Sequence, residues 1–117
     1  MLFVCYPKCS TCKKAKKWLD EHYLEYTERH IAENNPSFDE LKEWHAKSGL
    51  PLKKFFNTSG VLYKEMKLKD KLLAMSEEEM LELLSTNGML VKRPLLVDEE
   101  HVLVGFKEAE WAQKYCR

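Results

Sequence analysis

The sequence predicts an α+β fold, in which a four-stranded mixed sheet is combined with helices and a helical insertion follows the second strand. Short apolar runs near both ends of the chain are typical of buried strands. The residues between them, about 35–88, carry only helix and turn signals. The order is therefore strand, helix, strand, then helices, then strand, strand, helix. A chain of 117 residues fits one domain, residues 1–117.

The N-terminal elements form a predicted βαβ unit. Residues 2–6 are a nearly continuous apolar run that predicts a buried strand, which Pro7 ends. From Ser10 the apolar spacing becomes helical, with one inward face composed of Ala15, Trp18, Leu19 and His22. Residues 24–30 alternate weakly and predict the second strand. Strand, helix and strand within about 30 residues is typical of a right-handed crossover.

The insertion carries two strong helix-start signals. Ser37–Glu40 and Ser76–Glu79 both match the Ser-x-x-Glu pattern of a capping box. Gly49 is placed to end the first of these helices, and Asn87-Gly88 the second. Between them, residues 63–73 are predicted to be one helix without a clean apolar face.

The C-terminal elements are a predicted hairpin and a last helix. Residues 95–97 and 101–104 are apolar runs separated by a charged turn, which is typical of a hairpin. Gly105 ends the second arm. A helix then begins near Lys107, with an inward face composed of Trp111, Ala112 and Tyr115.

Composition and charge disfavour several classes of protein. Nineteen basic residues balance nineteen acidic ones, so the chain lacks the basic excess that favours nucleic acid. Its apolar start is too short for a signal peptide, and no apolar run reaches the length of a membrane span. We expect a cytoplasmic monomer with no membrane partner and no direct nucleic-acid partner. Four cysteines in a reducing compartment favour redox or metal chemistry over a disulfide scaffold.

The pair Cys9 and Cys12 is the main candidate site. Cys9 is expected at the N-terminal edge of the first helix and Cys12 in its first turn, so the two thiols share one face and are close enough to form a disulfide. The free N–H groups and positive potential of a helix N-terminus stabilise a thiolate, and the flanking Lys8 and Lys13 act in the same direction. Cys9, nearer the helix end, is assigned as nucleophile and Cys12 as resolving thiol.

Two other interpretations of the pair remain open at this stage. A single C-x-x-C can be half of a zinc site, but structural zinc normally needs four ligands. The histidines are scattered and form no second ligand pair: His22, His30, His45 and His101. The pair could also be a coincidence, although its place between a strand and a helix argues against that. Cys5 is expected to be a small core residue and Cys116 a bystander. We expect neither metal nor cofactor.

Three segments resemble the arsenate reductase (ArsC)/Spx family, and the resemblance covers essentially the whole chain. They are Tyr6-Pro-Lys-Cys-Ser-Thr-Cys-Lys-Lys-Ala15, Lys92-Arg-Pro-Leu-Leu-Val-Asp98 and Val104-Gly-Phe-Lys-Glu108. The chain is most similar to small arsenate-reductase-like proteins of Gram-positive bacteria that are related to Spx and MgsR. The resemblance implies a thioredoxin-like fold.

The resemblance also implies roles for the second motif. Arg93 matches the family arginine that faces the redox cysteine, where a guanidinium can hold an oxyanion or stabilise a thiolate. Pro94 matches the proline that opens the third strand, usually through a cis bond. The catalytic candidates are therefore Cys9, Cys12 and Arg93. Residues that flank them are the candidates for substrate binding: Ser10, Thr11, Lys13 and Pro94.

Two positions depart from the arsenate reductases of this family, which hold the oxyanion with three arginines. Only Arg93 matches, because Asn57 and Phe106 stand at the other two positions. Those enzymes also lack the second cysteine of the pair, where this chain has Cys12. Fewer guanidinium groups mean fewer charge-assisted hydrogen bonds to arsenate. The departures therefore favour dithiol exchange or redox sensing over arsenate reduction.

Three functions follow, in decreasing order of support. The first is a thiol–disulfide oxidoreductase that acts on a protein or small-molecule disulfide and is reduced by a thioredoxin- or glutaredoxin-type partner. The second is a Spx-like regulator that binds the RNA polymerase α subunit and uses Cys9 and Cys12 as a redox switch. Gly49 matches a glycine in the corresponding Spx surface. The third is arsenate reduction.

Overall fold

The computed structural model describes residues 1–116 and contains four strands and six α-helices in that range. Three short 3₁₀ turns connect some of these elements, at Leu52–Phe55, Leu72–Ala74 and Gly88–Leu90. In chain order the strands and α-helices are β1 (Leu2–Cys5), α1 (Ser10–Glu21), β2 (Thr27–His30), α2 (Phe38–Ser48), α3 (Val61–Glu65), α4 (Leu68–Lys71), α5 (Glu77–Thr86), β3 (Leu95–Val97), β4 (Val102–Val104) and α6 (Glu108–Tyr115).

The four strands form one mixed sheet in the order β2-β1-β3-β4. β1 pairs with β2 in parallel, as the βαβ connection requires, and with β3 in an antiparallel ladder. β3 and β4 form the predicted hairpin. The predicted four-stranded mixed sheet with helices is therefore confirmed, and helices α2–α5 all lie in the chain between β2 and β3.

The two faces of the sheet are buried under different parts of the chain. Because successive strand residues point to opposite faces, Phe3 and Leu96 join one apolar cluster while Val4 and Leu95 join the other. The first cluster contains the inward side chains of α1 and α6. The second contains those of the helical insertion. All four of these strand side chains are buried. A shift of the strand pairing by one residue would move each of them to the opposite face of the sheet, so burial specifies the register.

Both predicted capping boxes form, but the middle of the insertion differs from the prediction. Ser37 accepts the backbone N–H of Glu40, and Ser76 accepts that of Glu79, each with the reciprocal bond. Gly49 ends α2 in the left-handed conformation, with φ of 69°. Residues 63–73 are largely helical, as predicted, but they do not form one continuous helix. The segment is broken at Lys67, whose φ of 55° ends α3 and starts α4.

The end of α1 also differs from the prediction. His22 lies outside the helix and is exposed, because α1 ends at Glu21. Its ring stacks on Trp18 with centroids 4.1 Å apart, and its Nδ1 lies 2.8 Å from the Trp18 carbonyl oxygen. β2 begins at Thr27 and not at residue 24. The residues in between form a turn in which Tyr23 has a φ of 55°.

An ion pair joins the edge strand of the sheet to the insertion. The guanidinium of Arg29 donates from Nη1 to Glu40 Oε2 at 2.6 Å and from Nη2 to Glu40 Oε1 at 2.9 Å. It also donates to the carbonyl oxygens of Asn34 and Asn35. The hydrogen bonds from Arg29 outweigh partial burial and lower the pKa of Glu40 to about 2. The pair therefore holds α2 against β2.

Replacing Arg29 with methionine is expected to lower the free energy of unfolding at pH 7 by about 2 kcal/mol, since the hydrogen bonds are charge-assisted but Glu40 is partly exposed. The pKa of Glu40 is lower in the folded than in the unfolded chain. Its contribution is therefore complete above pH 4.5 and is lost as the pH falls towards 2. Urea denaturation across this range checks the difference between the variant and the parent.

Lys47→Met is the matched control, because Lys47 pairs with Glu43 on the surface of α2. We expect a loss below about 0.5 kcal/mol from it. A loss from Arg29→Met that stayed constant down to pH 2 would contradict the role given to Glu40.

No helix among residues 1–116 is both long and apolar enough to cross a membrane.

Candidate active site

The site begins at the loop between β1 and α1, which two hydrogen bonds close. The N–H of Cys9 donates to the carbonyl oxygen of Tyr6 at 2.9 Å. The N–H of Tyr6 donates to Cys12 Sγ at 3.4 Å. Cys9 is the N-cap residue of α1 and Cys12 lies in its first turn, as predicted from the sequence. The loop therefore holds both sulfur atoms at the helix N-terminus.

The Cys9 thiol is half-buried, and its pKa is lowered. Burial is the largest single influence and opposes ionisation of the thiol. Hydrogen bonding to the backbone N–H of Cys12, the thiol of Cys12, the backbone N–H of Thr11 and the guanidinium of Arg93 together outweigh it. The predicted effect of the helix N-terminus is thus present. Lys8 and Lys13 are exposed, and the side chain that supplies the positive charge is Arg93.

The pKa values of the other two nearby thiols, Cys12 and Cys5, are raised and not lowered. Cys12 is only 2% exposed, and burial raises its pKa to about 12, with a smaller contribution from the negative charge of Cys9. Cys5 is also 2% exposed, and burial raises its pKa to about 11. Cys5 is therefore the core residue that the sequence predicted. The difference between Cys9 and Cys12 is what a nucleophile and a resolving thiol need.

Sheet pairing brings Arg93 to Cys9. β3 runs antiparallel to β1, with Leu95 opposite Val4, so the start of β3 lies beside the end of β1. The guanidinium carbon of Arg93 lies 5.1 Å from the centroid of the Tyr6 ring. Pro94 follows through a cis bond and is buried, and its carbonyl oxygen accepts the N–H of Gly105 at 2.8 Å.

A cleft of about 550 Å³ opens at Cys9. Its walls come from the first turn of α1, the segment around α3, the residues before β3 and the end of β4. The lining residues are Cys9, Thr11, Asn57, Ser59, Gly60, Val61, Leu62, Met89, Lys92, Arg93, Val104, Gly105, Phe106 and Lys107. The insertion thus forms one wall of the cleft and the sheet the other.

The cleft contains some of the predicted site residues and not others. Cys9, Thr11 and Arg93 line it. Ser10 and Lys13 are exposed, do not line it, and carry no contact that supports a binding role. Pro94 is buried and does not line the cleft. Cys12 is buried and does not line this cleft.

Two lysines of the cleft, Lys92 and Lys107, were not predicted as site residues. Both lie within segments that carry the family resemblance, directly before Arg93 and after Phe106. Their position in those segments was the only available sequence signal. The strand pairing that joins these segments to Cys9 requires the fold.

Replacing Arg93 with methionine is expected to raise the pKa of Cys9, because a charge-assisted hydrogen bond to the thiolate is lost. At pH 7 the rate of Cys9 alkylation by iodoacetamide should fall by about fivefold, since the bond is partly exposed to solvent. The rate measured against pH should follow a titration curve displaced upward. Lys92→Met removes a neighbouring charge that makes no contact with Cys9 and is the control. Equal displacement in both variants would mean that general charge and not the Arg93 contact is responsible.

Comparison with known proteins shows the family of this chain. The model of the ArsC family matches residues 5–114. The chain belongs to the ArsC family. The uncharacterised protein YusI of Bacillus subtilis is 59% identical over 116 residues, which is 99% of this chain and 98% of that protein. The global transcriptional regulator Spx of Listeria innocua is 33% identical over 104 residues, which is 89% of this chain and 78% of that protein.

A solved structure of an ArsC-family-related protein from Bacteroides fragilis has the same fold. It superposes with a TM-score of 0.94 and 63% identity, over 96% of this chain and 94% of the other. The predicted thioredoxin-like fold is confirmed by the sheet order together with this similarity.

The two departures predicted from the family resemblance meet in the cleft. Asn57 and Phe106 both line it together with Cys9. Asn57 is 9% exposed, and its backbone N–H donates to the carbonyl oxygen of Leu90 at 2.8 Å. The ring of Phe106 packs edge to face on Trp111 with centroids 4.9 Å apart. An amide and an apolar ring thus occupy positions where additional guanidinium groups would strengthen an oxyanion site.

The zinc interpretation of the cysteine pair gains no support from the geometry. Within residues 1–116, no group of three or more histidine, cysteine, aspartate or glutamate side chains is close enough to hold one metal ion. Cys9 and Cys12 are free thiols.

Proposed function

We propose that this protein is a thiol–disulfide oxidoreductase that uses Cys9 and Cys12. The observation that carries the proposal is the asymmetry of the pair. Cys9 is half-exposed in a cleft with its pKa lowered, whereas Cys12 is buried next to it with its pKa raised to about 12. Arg93 contributes a positive charge to the Cys9 thiolate. Such a pair can attack a disulfide through one thiol and resolve the product through the other.

In the proposed reaction, the Cys9 thiolate attacks one sulfur of a substrate disulfide. A Cys9–substrate disulfide forms, and the other substrate sulfur leaves as a thiolate. Cys12 then loses its proton to solvent and attacks Cys9 Sγ. The Cys9–Cys12 disulfide forms and the second substrate thiol is released. Two electrons pass from the dithiol to the substrate, and an external dithiol reductant of the thioredoxin or glutaredoxin type restores the pair.

The first step also prepares the second. The negative charge of the Cys9 thiolate contributes to the raised pKa of Cys12. Once Cys9 is held in a mixed disulfide, that charge is gone, and the N–H of Tyr6 still donates to Cys12 Sγ. Cys12 is therefore easier to ionise at the stage when it must attack.

A redox-switched regulator is the second candidate. It rests on the relative named Spx and on Gly49, which ends α2 on an open surface where an added Cβ would meet no atom within 4 Å. The partner in that case is the RNA polymerase α subunit. Arsenate reduction has less support, because Asn57 and Phe106 supply no charge to an oxyanion in the cleft.

Turnover of a disulfide tests the enzyme proposal. The reduced protein is incubated with insulin or with hydroxyethyl disulfide, and a thioredoxin system supplies the electrons. Release of thiol faster than with the reductant system alone is the expected result, and no acceleration with several competent reductants would reject the proposal. Pull-down with the C-terminal domain of the RNA polymerase α subunit, in both redox states, tests the regulator. Failure to bind in either state would reject that function.

A further inference from the structure

A second cleft of about 280 Å³ extends the first one away from Cys9. The two clefts share Lys92, Val104 and Lys107. The second is lined in addition by Lys53 and Lys54, among other residues. We call the two adjoining clefts the basic groove. Its four lysines come from three separate segments of the chain.

Backbone pairing holds these segments together. The N–H of Lys92 donates to the carbonyl oxygen of Phe55 at 2.7 Å. Phe56 and Val91 form an isolated antiparallel bridge beside it. The 3₁₀ turn that carries Lys53 and Lys54 is therefore fastened to the segment that leads into Arg93. The convergence of the lysines is thus a property of the fold.

The positive charge of the groove is largely uncompensated. Within residues 1–116, Lys53, Lys54 and Lys92 make no salt bridge to a carboxylate. Lys107 pairs with Glu110 at 3.6 Å, and Glu110 is the carboxylate that lines the second cleft. Because the whole chain has a formal net charge of zero, this is a local excess, and acidic ligands would be attracted to it in particular.

The groove also has an apolar floor. Phe56 and Val104 line the second cleft together with the lysines. The stem of Lys92 passes over Gly105, where an added Cβ would lie 3.3 Å from the lysine Cε. An elongated chain could therefore lie on apolar surface with lysine head groups on its sides. All four lysines line the second cleft, and Lys92 and Lys107 continue into the first, which contains Cys9, so a chain bound along the lysines would extend to the thiol.

We propose that the basic groove binds an acidic segment of a partner polypeptide. Carboxylates of that segment pair with Lys53, Lys54 and Lys92, and the segment leads towards Cys9. If the proposed oxidoreductase function holds, the same segment carries the disulfide that Cys9 attacks. The substrates would then be proteins whose reactive cysteine is followed or preceded by acidic residues.

Binding is tested separately from turnover, with fluorescent peptides in which serine replaces cysteine. One peptide carries aspartate and glutamate beside the serine, and the other carries asparagine and glutamine at the same positions. By fluorescence anisotropy in low salt, the acidic peptide is expected to bind the intact reduced protein about tenfold more tightly than the neutral one. The preference should shrink as salt is added.

Two charge-reversed variants locate the interaction. Lys53→Glu together with Lys54→Glu should remove the preference for the acidic peptide. Lys69→Glu together with Lys71→Glu makes the same change in net charge on α4, outside both clefts, and should retain most of it. Equal affinity of the parent for both peptides would overturn the proposal. Equal loss in both variants would also overturn it, because the effect would then come from net charge.

Two further measurements separate this proposal from others. A single-stranded oligonucleotide that bound more tightly than the acidic peptide, with the same dependence on Lys53 and Lys54, would overturn the polypeptide proposal in favour of nucleic acid. Hydroxyethyl disulfide is uncharged, so its turnover measures the activity of Cys9 and Cys12 without any contribution from binding to the basic groove. If the protein turns over hydroxyethyl disulfide but does not prefer the acidic peptide, only the proposal for the basic groove is rejected. If it prefers the acidic peptide but turns over no disulfide, only the proposed oxidoreductase function is rejected.

Discussion

Replacing Cys9 with serine is expected to abolish disulfide turnover, with a fall in kcat/KM on the order of 10³-fold or more. A serine hydroxyl is not ionised near neutral pH, so the contacts from Arg93 and the helix N-terminus have no thiolate to stabilise. Cys12 cannot take over as nucleophile, because it is 2% exposed and burial raises its pKa to about 12. Release of thiol from hydroxyethyl disulfide is the measurement.

The variant Cys12→Ser should fail at a different step. Cys9 remains able to attack, so a mixed disulfide should form and persist, and mass spectrometry of the intact protein should detect the added substrate mass. Cys116→Ser is the control, because Cys116 does not line the cleft and should leave turnover unchanged. If Cys9→Ser trapped substrate and Cys12→Ser did not, the two roles would have to be exchanged.

Replacing Gly88 with alanine is expected to lower the free energy of unfolding by about 3 kcal/mol, at the upper end of the usual range for overpacking. A Cβ at this position would lie 1.8 Å from the carbonyl oxygen of Ile31 and 2.7 Å from its carbonyl carbon. Both are backbone atoms directly after β2, so they cannot rotate away as a side chain would. The whole 3₁₀ turn at Gly88–Leu90 must shift. Urea denaturation followed by circular dichroism measures the loss.

Gly49→Ala provides the comparison. An added Cβ at Gly49 meets no atom within 4 Å, but the residue has a φ of 69°. Only the backbone conformation is then unfavourable, and we expect a loss of about 1 kcal/mol. A Gly88→Ala variant as stable as Gly49→Ala would mean that the turn can move away from Ile31 at little cost. The wall of the cleft that Met89 contributes would then be less rigid than the structure implies.

The cleft explains why membership of the ArsC family does not by itself specify arsenate as the substrate. Arg93 lines the cleft together with Cys9, and its guanidinium contributes to lowering the pKa of that thiol. The position held by Phe106 instead extends an aromatic group that includes Trp18 and Trp111. One cation is enough to stabilise a thiolate, but a doubly charged oxyanion needs several charge-assisted donors. The residues present therefore support the proposed thiol–disulfide function more than arsenate reduction.

The sequence by itself determined the features that depend on nearby residues. Both capping boxes and the left-handed Gly49 follow from local hydrogen bonds and local sterics, and all three are present in the structure. The position of Cys9 at the start of α1 is also local, because Pro7 ends the strand and helical spacing begins at Ser10. Such signals are readable since the interacting groups lie within a few residues of one another.

Only the tertiary structure decided which distant segments meet at the site. Antiparallel pairing of β3 with β1 brings Arg93 to Cys9. The bridge between Phe56 and Val91 joins the lysines of the insertion to the same cleft. The close approach of Gly88 to Ile31 likewise joins segments that are far apart in the sequence. Local patterns encode local contacts, whereas a cleft is made from contacts between segments that no short pattern connects.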